Sequence, residues 1–213
     1  MPNPQIEETN WKAAFGQSSF RYAFGATVAS FILIFGFFIH FVGYVETRPG
    51  VVLADPFLAR LPALELDWPI FTIVYGAIVL AFFVLFKRPR RFLLVLQAYT
   101  LMVALRIIAM DLVPLEPPTG MIILADPFAK MISGSGAPLT RDLFFSGHTA
   151  TCFLMYLGVE KPAWAKRVLL ALVVGVASGV LLQHVHYSID VFAAPFFAYA
   201  AFHIAQMLPA ARS

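Results

Sequence analysis

The chain has 213 residues, of which 60% are hydrophobic and 13% charged, with a formal net charge of +3. A soluble domain is nearer half apolar and about a quarter charged, so this composition excludes an ordinary soluble globule. It points to a polytopic membrane protein. The single cysteine, Cys152, excludes an intramolecular disulfide and a multi-cysteine metal site within this chain.

In chain order, residues 1–20 are polar and mixed and are predicted to form a cytoplasmic N-terminal segment. The first apolar segment is too long for the core of a signal peptide and is predicted to remain as an anchor. Apolar runs of about 20 residues match the thickness of the bilayer core. Six spans are predicted at 21–43, 69–86, 92–113, 142–159, 168–184 and 189–208. The fold class is therefore all-α. Residues 21–208 are predicted to form one six-span bundle, with short interfacial helices in its outer loops. Those helices are expected after the repeated "LADPF" at 53–57 and 124–128, because Asp before Pro is a common helix start.

Basic residues set the expected orientation. Lys12, Arg21, Lys87, Arg88, Arg90, Arg91, Lys161, Lys166, Arg167 and Arg212 all fall on one side of a six-span chain. The other side collects Glu46, Asp55, Glu65, Asp67, Glu116, Asp126 and Asp142. Both termini are thus predicted in the cytoplasm, with the acidic loops facing the periplasm, lumen or exterior.

This topology places two polar stretches, "RDLFFSGHTA" at 141–150 and "HVHYSID" at 184–190, on the outer face at similar depth. His186 and Asp190 are four apart and would share a helix face. A carboxylate there fixes one imidazole tautomer and leaves the other ring nitrogen as a lone pair; the bland alternative is a pair that only pins the turn. In the other stretch, Gly147 permits close backbone approach, and Ser146 and Thr149 are candidate caps for the fourth span. A helix start with unpaired N–H groups suits a phosphate, and a histidine placed there, His148, can act as a general acid. An incidental interfacial histidine above a capped helix is the other reading.

Together, SGHT and HYSID, with one inward and one outward crossing between them, resemble the type-2 phosphatidic acid phosphatase superfamily, and within it the sphingomyelin synthase branch. Members of that branch carry Gly-Asp-aromatic-x-Phe/Tyr-Ser-Gly-His-Thr and His-x-His-Tyr-Thr-x-Asp-Val. This chain has "RDLFFSGHT" and "HVHYSIDV", and "RRFLLVLQAYTLMVALR" is similar to a third segment of the branch. The wider family's Lys-x6-Arg-Pro element and the Pro before SGH are missing. Val180 stands where its second motif has Arg, which argues against an ordinary lipid phosphatase. The branch's leading Gly is Arg141 here, and its Thr is Ser188.

The resemblance implies His186 as nucleophile on a phosphodiester, Asp190 as the group that orients it, and His148 as acid and then base. Arg106, inside the outer half of the third span where a lone cation is expensive, is the first candidate to bind the phosphate. Arg141, Ser146 and Gly147 are further candidates. Asp111 is a candidate partner for Arg106. His184 and Tyr187 share the turn and either support the site or are structural, while Glu116 or Asp126 could polarise a histidine. No metal or cofactor is expected, and the expected partners are bilayer lipids rather than nucleic acid. The implied activity is transfer of a phospho-alcohol from a glycerophospholipid to ceramide, diacylglycerol or another lipid alcohol. With water as acceptor the chain would be a phospholipase C or lipid phosphatase. A transporter is the remaining class, disfavoured because the polar residues gather at one face rather than at mid-membrane.

Overall fold

The computed structural model describes residues 10–124 and 139–208, and these are built from helices. Among the described residues seven α-helices follow one another: α1 (Trp11–Gly16), α2 (Ser18–Thr47), α3 (Asp67–Leu85), α4 (Pro89–Leu112), α5 (Gly147–Gly158), α6 (Ala163–Leu182) and α7 (Ser188–Met207). α1 lies within the stretch read only as a polar N-terminal segment. It packs back on the bundle through Trp11, whose Nε1 donates to the Phe86 carbonyl at 2.6 Å among the rings of Phe15, Phe20, Phe24 and Phe92.

Five helices, α2, α3, α4, α6 and α7, are long and apolar enough to cross a membrane. Their exposed surface is apolar as well. Leu33 and Phe196 are 72% and 76% exposed, a surface costly in water and suited to hydrocarbon.

The expected fourth span, 142–159, is not one long helix. α5 has 12 residues, about 18 Å of helix against a bilayer core of about 30 Å. The reason is local. Ser146 is the N-cap of α5, so the helix cannot start earlier. The segment ahead of it runs as irregular backbone with Leu143 and Phe145 buried. Irregular backbone at this depth is tolerated where protein covers it, and α5 is covered on all sides by α3, α4, α6 and α7. At its far end Gly158 lets α4 approach closely, since a Cβ there would lie 2.5 Å from Val95 Cγ2. Arg91 Nε donates to the Gly158 carbonyl at 2.9 Å, a cation placed at a helix C-terminus.

The first of the expected loop helices differs from expectation too. After the first LADPF there is a single 3-10 turn, Leu58–Arg60. Asp55 caps it, its Oδ1 accepting from Leu58 N at 2.9 Å and Phe57 N at 3.2 Å. The Pro follows the cap as expected, but the chain turns away after three residues. Of the second LADPF only Leu124 lies within the described residues. The loops at this end are tied together by an isolated parallel bridge between Val51 and Leu115.

Candidate functional site

The turn between α6 and α7 carries His184, His186 and Tyr187, and α7 begins at Ser188. His186 therefore precedes the helix, and the His186–Asp190 pair is not made by one helical face. Asp190 sits in the first turn of α7 and reaches back over the helix start. Its Oδ2 accepts from the Tyr187 backbone N at 3.0 Å and lies 3.4 Å from His186 Nδ1. Asp190 is fully buried and His186 is 4% exposed. The carboxylate's second oxygen, Oδ1, is buried without a protein partner.

The other stretch meets this turn through the backbone: Ser146 N donates to the Asp190 carbonyl at 3.1 Å. That bond sets the start of α5 against the start of α7. Ser146 Oγ accepts from Thr149 N at 3.4 Å and lies 3.1 Å from Thr149 Oγ1. Thr149 is thus inside the helix, and Ser146 alone is the cap. His148, half-buried in the first turn of α5, stands beside α3, with its ring 6.4 Å from that of Phe71.

Arg106 comes up from α4 beneath this start. Its Nη2 pairs with Asp142 Oδ1 at 2.7 Å and with the Asp142 carbonyl at 3.2 Å, and Nη1 donates to the Phe145 carbonyl. Gly147 lies against the guanidinium, since a Cβ there would fall 2.7 Å from Nη1 and 2.8 Å from Cζ. Arg106 thus clamps the 142–147 segment. Its carboxylate partner is Asp142 rather than Asp111. Asp111 pairs with Arg48 at 3.3 Å, so the expected Arg106–Asp111 pair is not formed.

Arg141 is held by two glutamates. Its Nε pairs with Glu116 Oε2 at 2.9 Å, and its backbone N donates to Glu46 Oε1 at 2.7 Å. Gly50 N donates to Glu116 Oε1 at 2.9 Å. The Gly50 bond and Arg141 together lower the Glu116 pKa below the usual glutamate value. The Tyr187 hydroxyl donates to the Glu116 carbonyl at 3.0 Å, and the hydroxyl oxygen accepts from Leu53 N at 3.2 Å. Tyr187 and Glu116 are therefore braces between the loops and the turn, and Glu116's carboxylate faces Arg141 rather than a histidine. His184 adopts a positive φ of 57°. Its Nδ1 lies 3.4 Å from the Thr119 carbonyl and its Nε2 3.2 Å from that of Leu61, which fits it to holding loops. Asp126 lies outside the described residues.

Two carboxylates that organise the site, Asp55 and Glu46, are not legible as such in the sequence. Asp55 was read as a local cap. Its Oδ2 also accepts from Ser188 N at 2.6 Å, and Ser188 Oγ lies 3.1 Å from Oδ1. One carboxylate thus caps the loop turn and the start of α7 together. The only signal for it in the sequence was the Asp-Pro pair, which carries no information about a partner 133 residues away. Glu46, at the end of α2, was similarly read as loop charge.

The stretch that builds this arrangement, residues 141–207, matches the family model described as PAP2 superfamily C-terminal. No curated protein matches the chain. The match covers both histidine motifs and helices α5, α6 and α7, so this stretch is similar to the type-2 phosphatidic acid phosphatase superfamily, whose members act on phosphoesters as phosphatases or phosphotransferases.

Proposed function

We propose that the protein is a phospholipid headgroup phosphotransferase of the sphingomyelin synthase kind. It would move a phospho-alcohol from a glycerophospholipid to a lipid alcohol such as ceramide or diacylglycerol. The observation that carries this reading is the hydrogen bond from Ser146 N to the Asp190 carbonyl, which sets the two histidine motifs side by side.

In the first step His186 Nε2 attacks phosphorus. The bond from phosphorus to the diacylglycerol oxygen breaks, and His148 gives that oxygen its proton. In the second step the acceptor hydroxyl passes its proton to His148 and attacks phosphorus, and the phosphorus–nitrogen bond returns its pair to His186. Asp190 holds the Nδ1 side of the ring and balances the charge that grows on it. The first turn of α5, from Gly147, offers backbone N–H groups to the phosphoryl oxygens, while the Ser146 N–H stays with the Asp190 carbonyl. Arg106, packed against Gly147, adds positive charge while fixing that segment. Arg141 lies one step further out, steadied by Glu116.

The buried surroundings of His186 and Asp190 favour transfer over hydrolysis, since water must be kept out for a lipid acceptor to win. An acceptor held by its tails gains an effective concentration that a solute does not reach. The assay is purified protein in detergent with a labelled phospholipid, with and without ceramide or diacylglycerol. A new labelled lipid is the expected product. Free phospho-alcohol whichever acceptor is added would make the protein a phospholipase C. Inorganic phosphate from phosphatidic acid, with diesters untouched, would make it a phosphatase.

The one-sided Lys and Arg distribution supports cytoplasmic termini and a site on the opposite face. Val52, exposed beside the site, and Lys161, exposed at the other end of the bundle, suit a test. In intact cells Val52→Cys should react with an impermeant thiol reagent and Lys161→Cys should not, with Cys152 silent because it is buried. The reverse pattern would put the chemistry at the inner leaflet.

A further inference from the structure

The end of the bundle away from the histidines is basic, and most of its cations are already engaged. Pro89, where α4 begins, lies about 26 Å along that helix from Arg106, at 1.5 Å per residue. Among the described residues the one carboxylate at this end is Glu160, and Arg91 holds it at 2.5 Å. Arg90 donates to Gln17 Oε1 at 2.6 Å and Arg21 to the Phe15 carbonyl at 2.9 Å. Lys166 lies over the Tyr156 ring at 4.9 Å. Exposed cations with no carboxylate beside them remain at two corners: Lys12 and Lys87 at one, Lys161 and Arg167 at the other.

Helix α1 builds the first corner. Trp11 Nε1 donates to the Phe86 carbonyl at 2.6 Å, and the two rings are 5.4 Å apart. Lys12 follows Trp11 and Lys87 follows Phe86, each about 3.8 Å along the backbone from that contact. Two ammonium groups thus ride on one joint. The wall beside them is aromatic. Phe82, Phe83 and Phe86 are exposed, and Phe82 stacks on Phe86 at 5.3 Å and meets Phe92 of α4 at 5.9 Å.

We propose that this corner is a binding site for an anionic phospholipid, its phosphate between Lys12 and Lys87 and its chains along Phe82, Phe83 and Phe86. Charge and apolar surface side by side select a ligand that has both. A soluble acidic partner would satisfy the lysines but could not cover Phe82 and Phe83, which belong to the membrane-crossing length of α3. A zwitterionic head brings an ammonium group, and the corner has no carboxylate for it, because Glu160 is taken by Arg91. Trp11 marks the level of the headgroups, where tryptophan is enriched. By engaging both lysines, the lipid ties α1 to the turn between α3 and α4. The inference does not rest on the reading of the histidine site.

The test reads Trp11 alone. Trp68→Phe and Trp164→Phe remove the other two tryptophans, both exposed. The protein is reconstituted in phosphatidylcholine bilayers, and phosphatidylglycerol or phosphatidylcholine with brominated chains is added in steps. Quenching of Trp11 should show phosphatidylglycerol binding about five- to thirtyfold better, at about fivefold for each lysine, and high salt should shrink that preference. Lys12→Gln combined with Lys87→Gln should bring the ratio close to one. Lys161→Gln combined with Arg167→Gln, which removes the same charge from the other corner, should leave it within about twofold. Folding is checked by helicity and melting, and if the first double variant does not fold, each of its single changes should lower the ratio about fivefold. Equal quenching by the two lipids, or a ratio unchanged without the lysines, would overturn the inference. So would a loss as large at the control corner, which would reduce the effect to the general field of this end.

Discussion

Helix α2 runs for 30 residues and leaves Tyr22, Ile32 and Leu33 largely in the surroundings. α5 has 12 residues and buries Ala150, Cys152 and Leu154 completely. The first meets lipid, which asks of a side chain only that it be apolar. The second meets protein on every side, which asks for volume and shape residue by residue. Hydropathy therefore marks α2 clearly and α5 poorly, although α5 begins at the candidate chemistry and most of α2 lies remote from it. The sharpest way to break this contrast is to change both helices and read turnover.

The largest effect is expected at the histidines. His186→Ala, His148→Ala and Asp190→Asn should each lower turnover by roughly a thousandfold or more, within the range of lost acid–base and nucleophilic catalysis. Combined, they should cost little beyond the worst single change, because the three act as a unit. Ile32→Ala and Leu33→Ala on the exposed face of α2 should leave turnover within about twofold, with labelled-lipid transfer by purified, monodisperse protein as the measurement. Near-normal turnover in His186→Ala would remove it as nucleophile. Turnover that fell just as far in the α2 variants would show that the contrast between the helices is wrong.

A smaller effect comes from one added methyl group. Gly147→Ala places a Cβ 2.7 Å from Arg106 Nη1, whereas a Cβ at Gly36 in α2 meets nothing within 4 Å. The guanidinium is tied to Asp142 and Phe145, so the start of α5 must shift. Gly147→Ala should cost about 1–3 kcal/mol of stability and about ten- to a hundredfold in turnover. Gly36→Ala should be neutral or stabilise by up to about 1 kcal/mol, as helix propensity predicts. Melting of both variants in detergent decides it, and equal melting temperatures would show that the clamp is loose.

How much of this was legible beforehand depends on the range of each interaction. The long helices could be read from apolar runs, because burial in lipid is a local property of sequence. The cap at Ser146 and the meeting of the two motifs were legible from spacing and topology. The length of α5 was not, since apolar residues ahead of it look the same whether helical or extended. Nor was the pairing of cations: Arg106 was matched with Asp111, five residues on in the same helix, while in the structure it takes Asp142 and Asp111 takes Arg48. Those choices are made by loops folding back, which no periodicity encodes. Asp55 is the clearest such case.

Asp55 yields the mildest prediction and the one most specific in its pH dependence. Burial alone would raise its pKa, but the bonds from Leu58, Ser188 and Phe57 outweigh that and hold it below the ordinary aspartate value. A carboxylate with a lowered folded pKa contributes stability that is present above its unfolded value, about 3.9, and is lost as pH falls through the lowered one. Asp55→Asn keeps one oxygen to cap the loop turn, but it cannot accept at both carboxylate positions and so loses a bond to Ser188 or to the turn. The expected cost is about 1 kcal/mol at neutral pH, the usual worth of a cap, with turnover reduced because His186 sits two residues before the freed helix start. The melting difference between wild type and Asp55→Asn should hold steady from pH 7 to about pH 5 and then close as the pH falls below about 4. α2 offers the control, since Ser30→Ala on its exposed face should shift melting equally at every pH. A gap between wild type and Asp55→Asn that stayed open in acid would mean that the anchor does not depend on the carboxylate's charge. No gap at neutral pH would mean that the start of α7 is held without Asp55.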